Sequence, residues 1–411
     1  MYLAGPATFL CLFAVLGSSF ADKLENSDDD SNARDNHVLD AIKHAESDDE
    51  WEHENGHYDQ KEPSHPDEDF WGDGRKYRGA RPEGDFWDYG DKYKGLRIDG
   101  EWPEMGIRLG QIGGIAADDM GKLFVFQRNS VVWDDSSFDS KDNYLKKDKG
   151  PIKDATIYEF DEFGILDKKF GENRFYMPHG LTLDRFGNFW MTDVALHQVF
   201  KWPASSPKPT MVLGEKFVPG TDDSHFCKPT DVAVASNGHF FVSDGYCNSR
   251  ILKFDKDGKV LTKWGKDPDD DDNPKDNEFL IPHSLALIEQ SDILCVADRE
   301  NGRIQCFNAG LEDHTKTGEF LYSITDPRFG KVFAIEYDEN SGVLYAVNGR
   351  TKDIDQVSGF TIDLDSQQVI DEWTPQRNGQ GFQQPHDVTT DGRSVFVGEI
   401  GPNMLWKFNK L

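Results

Sequence analysis

Several features are scarce in this chain, and each scarcity removes a class of protein. No Asn-x-Ser/Thr acceptor occurs anywhere, which excludes N-glycosylation. Beyond residue 21 no apolar run is long enough to cross a bilayer, so neither a membrane-spanning helix nor an anchor after the globular part is expected. Basic residues are outnumbered, with 45 Lys and Arg against 75 Asp and Glu, for a formal net charge of −30. A field of that sign repels a phosphate backbone, so nucleic acid is excluded as a partner. Cysteine is also rare, with five in 411 residues.

Residues 1–21 are rich in Ala, Leu and Phe, with an apolar core from Thr8 to Leu16 and a small-residue cleavage site at Ser19-Phe20-Ala21. This reads as a secretory signal peptide, although its first residues lack lysine and arginine. The alternative, a short membrane anchor, is disfavoured by the length of the run. The mature chain is then expected in the secretory pathway, in a granule lumen or secreted. From Asp22 to Lys92 the composition turns acidic, 23 acidic residues against 9 basic ones, and offers few aliphatic side chains to bury. Residues 22–95 are therefore expected to form a mostly disordered acidic arm. Its histidines (His37, His44, His53, His57, His65) could bind metal weakly, but a spacer or processed propeptide is the plainer reading. The segments Phe70-Trp71-Gly72 and Phe86-Trp87-Asp88-Tyr89-Gly90 are aromatic enough to dock on a globular domain instead.

What the rest of the chain has is a repeat. Ile281-Pro282-His283 opens an alternating run, followed by a turn, Leu294-Cys295-Val296-Ala297, a second turn at Glu300-Asn301-Gly302, and Arg303-Ile304-Gln305-Cys306-Phe307. This is an antiparallel meander. Similar units begin at Met177-Pro178-His179, Pro229-Thr230-Asp231, Val332-Phe333-Ala334 and Pro385-His386-Asp387. Positions 179, 230, 283, 333 and 386 are 51, 53, 50 and 53 residues apart. Gly113-Gly114-Ile115-Ala116 starts one more copy, delayed by an insertion around residues 129 to 152. A period near fifty residues with three or four short strands per period predicts an all-β, six-bladed propeller over residues 96–411.

Cys11 leaves with the leader, so four cysteines remain. An even number in a secreted chain suggests two disulfides, and four cysteines allow three pairings. The repeat favours Cys227–Cys247 and Cys295–Cys306, because each pair falls within one blade.

The first strand of a propeller blade lines the central channel, so matched first-strand positions converge on the axis. His179, His283 and His386 occupy such a position in three blades. Three neutral imidazoles with an open fourth position make a catalytic Zn²⁺ site, whereas a lone Pro-His would merely start its strand. Tyr246 lies in a turn beside Cys247, where it either points a phenol into the channel mouth or packs on the surface against its cystine. Arg128 and Arg299 follow second strands; each, taken alone, reads as a solvated surface arginine, and as a fork for a substrate carboxylate only in context.

The runs Tyr176 to Leu181, Trp190 to Phe200, His225-Phe226-Cys227, Ser243 to Arg250 and Asp298 to Phe307 resemble peptidyl-α-hydroxyglycine α-amidating lyase, over nearly all of residues 107 to 410. The resemblance implies a propeller of NHL-type repeats and a carbon–nitrogen lyase that splits a C-terminal α-hydroxyglycine into a peptide amide and glyoxylate. It implies zinc on His179, His283 and His386, a catalytic Tyr246, and Arg128 and Arg299 as catalytic and substrate-binding residues. It also implies a structural calcium on the main-chain oxygens of Ile115 and Leu181 and the carboxylate of Asp387. Ile115 stands where valine is usual. No copper monooxygenase domain fits in the arm, so a separate hydroxylating monooxygenase is expected to supply the peptidyl-α-hydroxyglycine to this soluble chain, expected to be a monomer. Two other readings stand beside it. One is a calcium-dependent lactonase-like hydrolase, which needs carboxylates and amides at the axis where this sequence offers histidines. The other is a non-catalytic propeller that binds protein partners.

Overall fold

The computed structural model describes residues 93–104, 106–270, 273–376 and 380–411. The signal peptide, the acidic arm as far as residue 92, its histidines and its aromatic segments lie outside the described residues. Strand formation follows the alternation of β-branched and aromatic residues between turns. Six four-stranded antiparallel sheets result, five of them simple meanders, each with its first strand innermost. Blades 1 to 5 begin with Ile112–Ala117, Pro178–Leu183, Pro229–Val234, Pro282–Ile288 and Lys331–Asp338, and blade 6 begins with Gln384–Thr390. First strands of successive blades pack together, and that of blade 6 packs on that of blade 1.

The ring is closed by chain ends far apart in sequence. The outer strand of blade 6 is Leu96–Ile98, which pairs antiparallel with Leu405–Lys410 in the register Leu96↔Lys410. Tyr93, just before it, donates its hydroxyl to Asp371 Oδ2 of blade 5 at 2.8 Å. Fifty-residue spacing alone does not reveal this contribution from the start of the domain.

Among the described residues, six apolar clusters fill the six blade interfaces. Trp190 of blade 2, for example, meets Phe240 of blade 3 with ring centroids 4.4 Å apart. Turns are closed by aspartates: Asp184 Oδ1 accepts from Phe186 N and Asn188 N, both at 2.9 Å. A buried acid at or near the end of the second strand of four blades holds the segment that enters the first strand. Asp193 accepts from Tyr176 N and Met177 N, Asp244 from Cys227 N, Asp298 from Leu280 N and Glu399 from Gln383 N. Those bonds satisfy backbone donors that no strand partner reaches.

The insertion foreseen around residues 129 to 152 occupies the connection between Leu123–Gln127 and Ile157–Phe160 of blade 1. Both expected sulfur pairs are bonded, Cys227 to Cys247 and Cys295 to Cys306. The first ties the entry of blade 3 to the turn carrying Tyr246; the second joins directly opposed residues of two strands in blade 4. Two disulfides fit an oxidising compartment. No helix among the described residues is long and apolar enough to cross a membrane.

Candidate active site

In every blade the pairing of the first strand with the second slips near its start. The slips fall between Ile112 and Gly114, Pro178 and Leu181, Pro229 and Asp231, Pro282 and Ser284, Val332 and Ala334, and Pro385 and Asp387. Each is a bulge, and a bulge re-aims a side chain. The residues in the six bulges include Gly113, His179, Thr230, His283, Phe333 and His386, so three histidines alternate around the axis with three other residues.

The alternation is used chemically. His179 Nδ1 lies 2.9 Å from Thr230 O, His283 Nδ1 2.7 Å from Phe333 O, and His386 Nδ1 2.9 Å from Gly113 O. Each imidazole of an even blade thus gives its Nδ1 proton to the bulge carbonyl of the next odd blade. A carbonyl only accepts, so this contact assigns the tautomer and leaves every Nε2 as an acceptor. The three rings stand 4.9 Å apart, centroid to centroid, in each pairing, and their ligand atoms lie within 4.8 Å of one another. Gly113 permits the close approach of blades here, since a Cβ on it would meet Pro178 O at 2.5 Å.

Tyr246 Oη sits on this cluster, 2.9 Å from His179 Nε2 and 3.1 Å from His283 Nε2. A phenol has one proton and cannot serve both lone pairs. His386 Nε2 is buried with no hydrogen-bond donor. Three converging acceptors short of donors fit a cation, and three imidazoles with one remaining position suit Zn²⁺. Burial pushes all three histidines well below the usual imidazole range, with neighbouring histidine, Arg128 and Arg299 charges adding to it. They are neutral, the form that ligates.

Arg128 and Arg299 are both fully buried, which corrects the reading of each as a solvated surface arginine. Arg128 donates from Nε to Pro178 O at 2.9 Å and from Nη1 to Gln111 Oε1 at 3.0 Å. Arg299 pairs with Glu300 Oε1 at 2.9 Å, and its Nη1 reaches Tyr246 Oη at 3.5 Å. Tyr246 is likewise fully buried, not a surface residue packed on its cystine. The geometry therefore gathers His179, His283, His386, Tyr246, Arg128 and Arg299 at one end of the channel.

Further along the axis is a second polar site. A cavity of about 210 Å³ is lined by Ile115, Leu181 and Asp387 together with Asp231 and Glu336. Asp387 Oδ2 accepts from Ile115 N at 2.7 Å. Burial raises all three carboxyls, Asp387 well above its ordinary range, Asp231 to about 6 and Glu336 to about 8, and the charge of Asp231 adds to the rise at Asp387 and Glu336. This corrects the expectation that the axis offers histidines in place of carboxylates: it holds both, at different depths. Asp231 and Glu336 were missed from sequence, although Asp231 stands one residue after the matched position 230, as Asp387 does after 386. Trp133 and Gln111 were missed as well, since neither lies at a repeated position.

An NHL repeat model matches residues 226–254 and 279–307, which run from the entry segment to the third strand of blades 3 and 4. Peptidyl-alpha-hydroxyglycine alpha-amidating lyase 2 of Drosophila melanogaster is 42% identical over 317 residues, covering 75% of this chain and 74% of that protein. The chain belongs to the peptidyl-α-hydroxyglycine α-amidating lyase family. Peptidyl-glycine alpha-amidating monooxygenase B of Xenopus laevis is 46% identical over 314 residues, covering 75% of this chain. This lyase-family chain spans only about a third, 35%, of that relative's length. A solved structure described as a gluconolactonase superposes with a TM-score of 0.50 at 13% identity, over 79% of this chain and 96% of that one. That likeness is one of fold.

Proposed function

We propose that the chain is a peptidylamidoglycolate lyase, acting on peptides that end in α-hydroxyglycine and producing a peptide amide and glyoxylate. The observation that carries the reading is the convergence of three neutral imidazoles with a phenol oxygen touching two of them. Family membership supplies the substrate class.

The reaction needs no water and no redox partner. The carbinol O–H proton leaves, its oxygen closes a C=O bond, the C–N bond breaks, and the departing amide nitrogen gains a proton. His179, His283 and His386 would hold Zn²⁺, which when bound acts as a Lewis acid and lowers the pKa of a hydroxyl. Tyr246 Oη takes the hydroxyl proton and returns it to the amide nitrogen, a single group moving one proton between neighbouring atoms. Arg299 Nη1, 3.5 Å from Tyr246 Oη, places a cationic donor beside that oxygen. Arg128 and Arg299 together supply cationic forks for the carboxylate that becomes glyoxylate. The Ile115, Leu181 and Asp387 site would hold Ca²⁺, a hard cation suited to carbonyl and carboxylate oxygens, tying blades 1, 2 and 6 together. The hydroxyglycine substrate is the product of a hydroxylating monooxygenase step, and the two disulfides agree with work in the secretory pathway.

The test is glyoxylate release from a short acyl-α-hydroxyglycine peptide by the purified chain, before chelation, after it, and with Zn²⁺ restored. Release that chelation abolishes and zinc restores supports the lyase. No release from folded, metal-replete protein sinks it.

A further inference from the structure

The candidate site is shut. His179, His283 and His386 are at most 3% exposed, and Tyr246, Arg128 and Arg299 are at 0%. A peptide terminus cannot touch any of them unless something moves. The segment over the site is the insertion of blade 1, which leaves its own blade and lies across blades 2 and 3.

Its faces are unlike. Trp133 and Tyr144 are buried on the inside and Phe138 is half-buried, whereas Val132, Asp135, Ser136, Lys141 and Leu145 are exposed. Inward, the Trp133 ring packs on the Tyr246 ring at 4.7 Å, and the guanidinium of Arg128 lies 5.3 Å from the same indole. Trp133 N also donates to Gln111 Oε1 at 3.1 Å, the oxygen that receives Arg128 Nη1. The far end is fastened by Asp142. Its Oδ1 accepts from Lys228 Nζ at 2.7 Å, and its carbonyl accepts from His197 Nε2 at 3.0 Å. Lys228 is 2% exposed, with its ammonium 4.3 Å from the Phe138 ring. It directly follows Cys227, whose disulfide partner Cys247 directly follows Tyr246. Latch and phenol are therefore held at the two ends of one covalent bridge.

We propose that residues 129–146 are a lid that opens to admit the peptide terminus and, on closing, uses Trp133 to position Tyr246 and Arg128, with Asp142 latched on Lys228. The proposal rests on the lyase reading for what the lid admits, and on geometry alone for the lid itself. Its first residue, Asn129, has φ 52°, and Gly150, four residues past its last, has φ 78°, so regular strand and helix geometry are broken on either side of the segment. Closure excludes water and completes the arrangement of groups, the two gains a lid brings to a reaction.

Hydrogen exchange of the full chain, followed by mass spectrometry, tests the motion without reference to activity. Amides of 129–146 are expected to exchange at least about tenfold faster than those of the flanking strands Leu123–Gln127 and Ile157–Phe160, by local opening. Lys228→Met should widen the gap, and Lys228→Arg, which keeps a cation for Asp142, should leave it near that of the unaltered chain. Equal protection of lid and flanks in the unaltered chain overturns the proposal. For positioning, Trp133→Ala should lower kcat for the acyl-α-hydroxyglycine peptide at least about tenfold with a smaller change in KM, and Trp133→Phe should recover most of it. An unchanged kcat in Trp133→Ala overturns the positioning role. If Trp133→Ala does not fold, Trp133→Leu, which fills the space without a ring to pack on Tyr246, takes its place, and an unchanged kcat there has the same force. A chain that opens its lid but releases no glyoxylate keeps the lid and loses the lyase, so the two failures are distinguishable.

Discussion

Tyr246 carries one proton and faces two imidazole nitrogens, and its own oxygen is the group asked to move the substrate proton. Tyr246→Phe removes that oxygen and keeps the ring that packs on Trp133. It is expected to lower kcat by about 10²- to 10⁴-fold, the usual contribution of a positioned acid–base group. Zinc content, measured by atomic absorption, should not change, because the three histidines stay in place. His283→Ala behaves differently: both zinc and activity should be lost. Glu399 offers a pH signature away from the chemistry. It is buried, and burial pushes its carboxyl up to about 7. The folded state therefore binds its proton more tightly than the unfolded one, and its stabilisation is complete below the unfolded carboxyl pKa and lost as pH rises through about 7. Glu399→Gln keeps an acceptor for Gln383 N, so thermal midpoints measured between pH 5 and pH 8 should fall less with rising pH than in the unaltered chain.

At the scale of single elements, the two disulfides separate stability from chemistry. Replacing either pair by serine should cost on the order of 3 kcal/mol of stability, as for loops of this size. Loss of Cys227–Cys247 should also lower kcat, because that bridge holds the turn of Tyr246 and the latch residue Lys228. Loss of Cys295–Cys306, inside the sheet of blade 4, should leave kcat unchanged. Measured kcat beside urea-unfolding midpoints distinguishes the two; equal kcat losses would contradict this assignment. The closing strand makes a third case. A chain beginning at residue 101, compared with one beginning at 93, loses Leu96, Ile98 and the Tyr93 bond to Asp371, and its unfolding free energy should fall by about 3 kcal/mol. Much of this was legible beforehand. The spacing of Pro-His and its relatives located five of six first strands, and the delayed copy at Gly113 located the sixth. The closing strand was not, because a three-residue outer strand has too few residues to show a period.

Across the whole molecule the channel carries two polar sites in series, imidazoles at one depth and carboxylates at another. Calcium at about 100 times its Kd should raise stability by about 2.7 kcal/mol if it binds only the folded chain, read as a shift of the thermal midpoint that Asp387→Ala removes. Sequence alone determined the repeat, the blade count, the within-blade sulfur pairs and the three matched histidines, because these follow from residue type and spacing, which a period preserves. Tertiary structure decided which atoms those histidines present. The bulge in each first strand turns the side chain toward the axis, and the bulge carbonyl of the next blade selects the tautomer, and neither leaves a mark in composition or spacing. It also decided that Arg128 and Arg299 are buried, that Asp231 and Glu336 join Asp387, and that Trp133 covers Tyr246. Those residues come from different blades and from an unrepeated insertion, so only closure of the ring brings them within reach of one another.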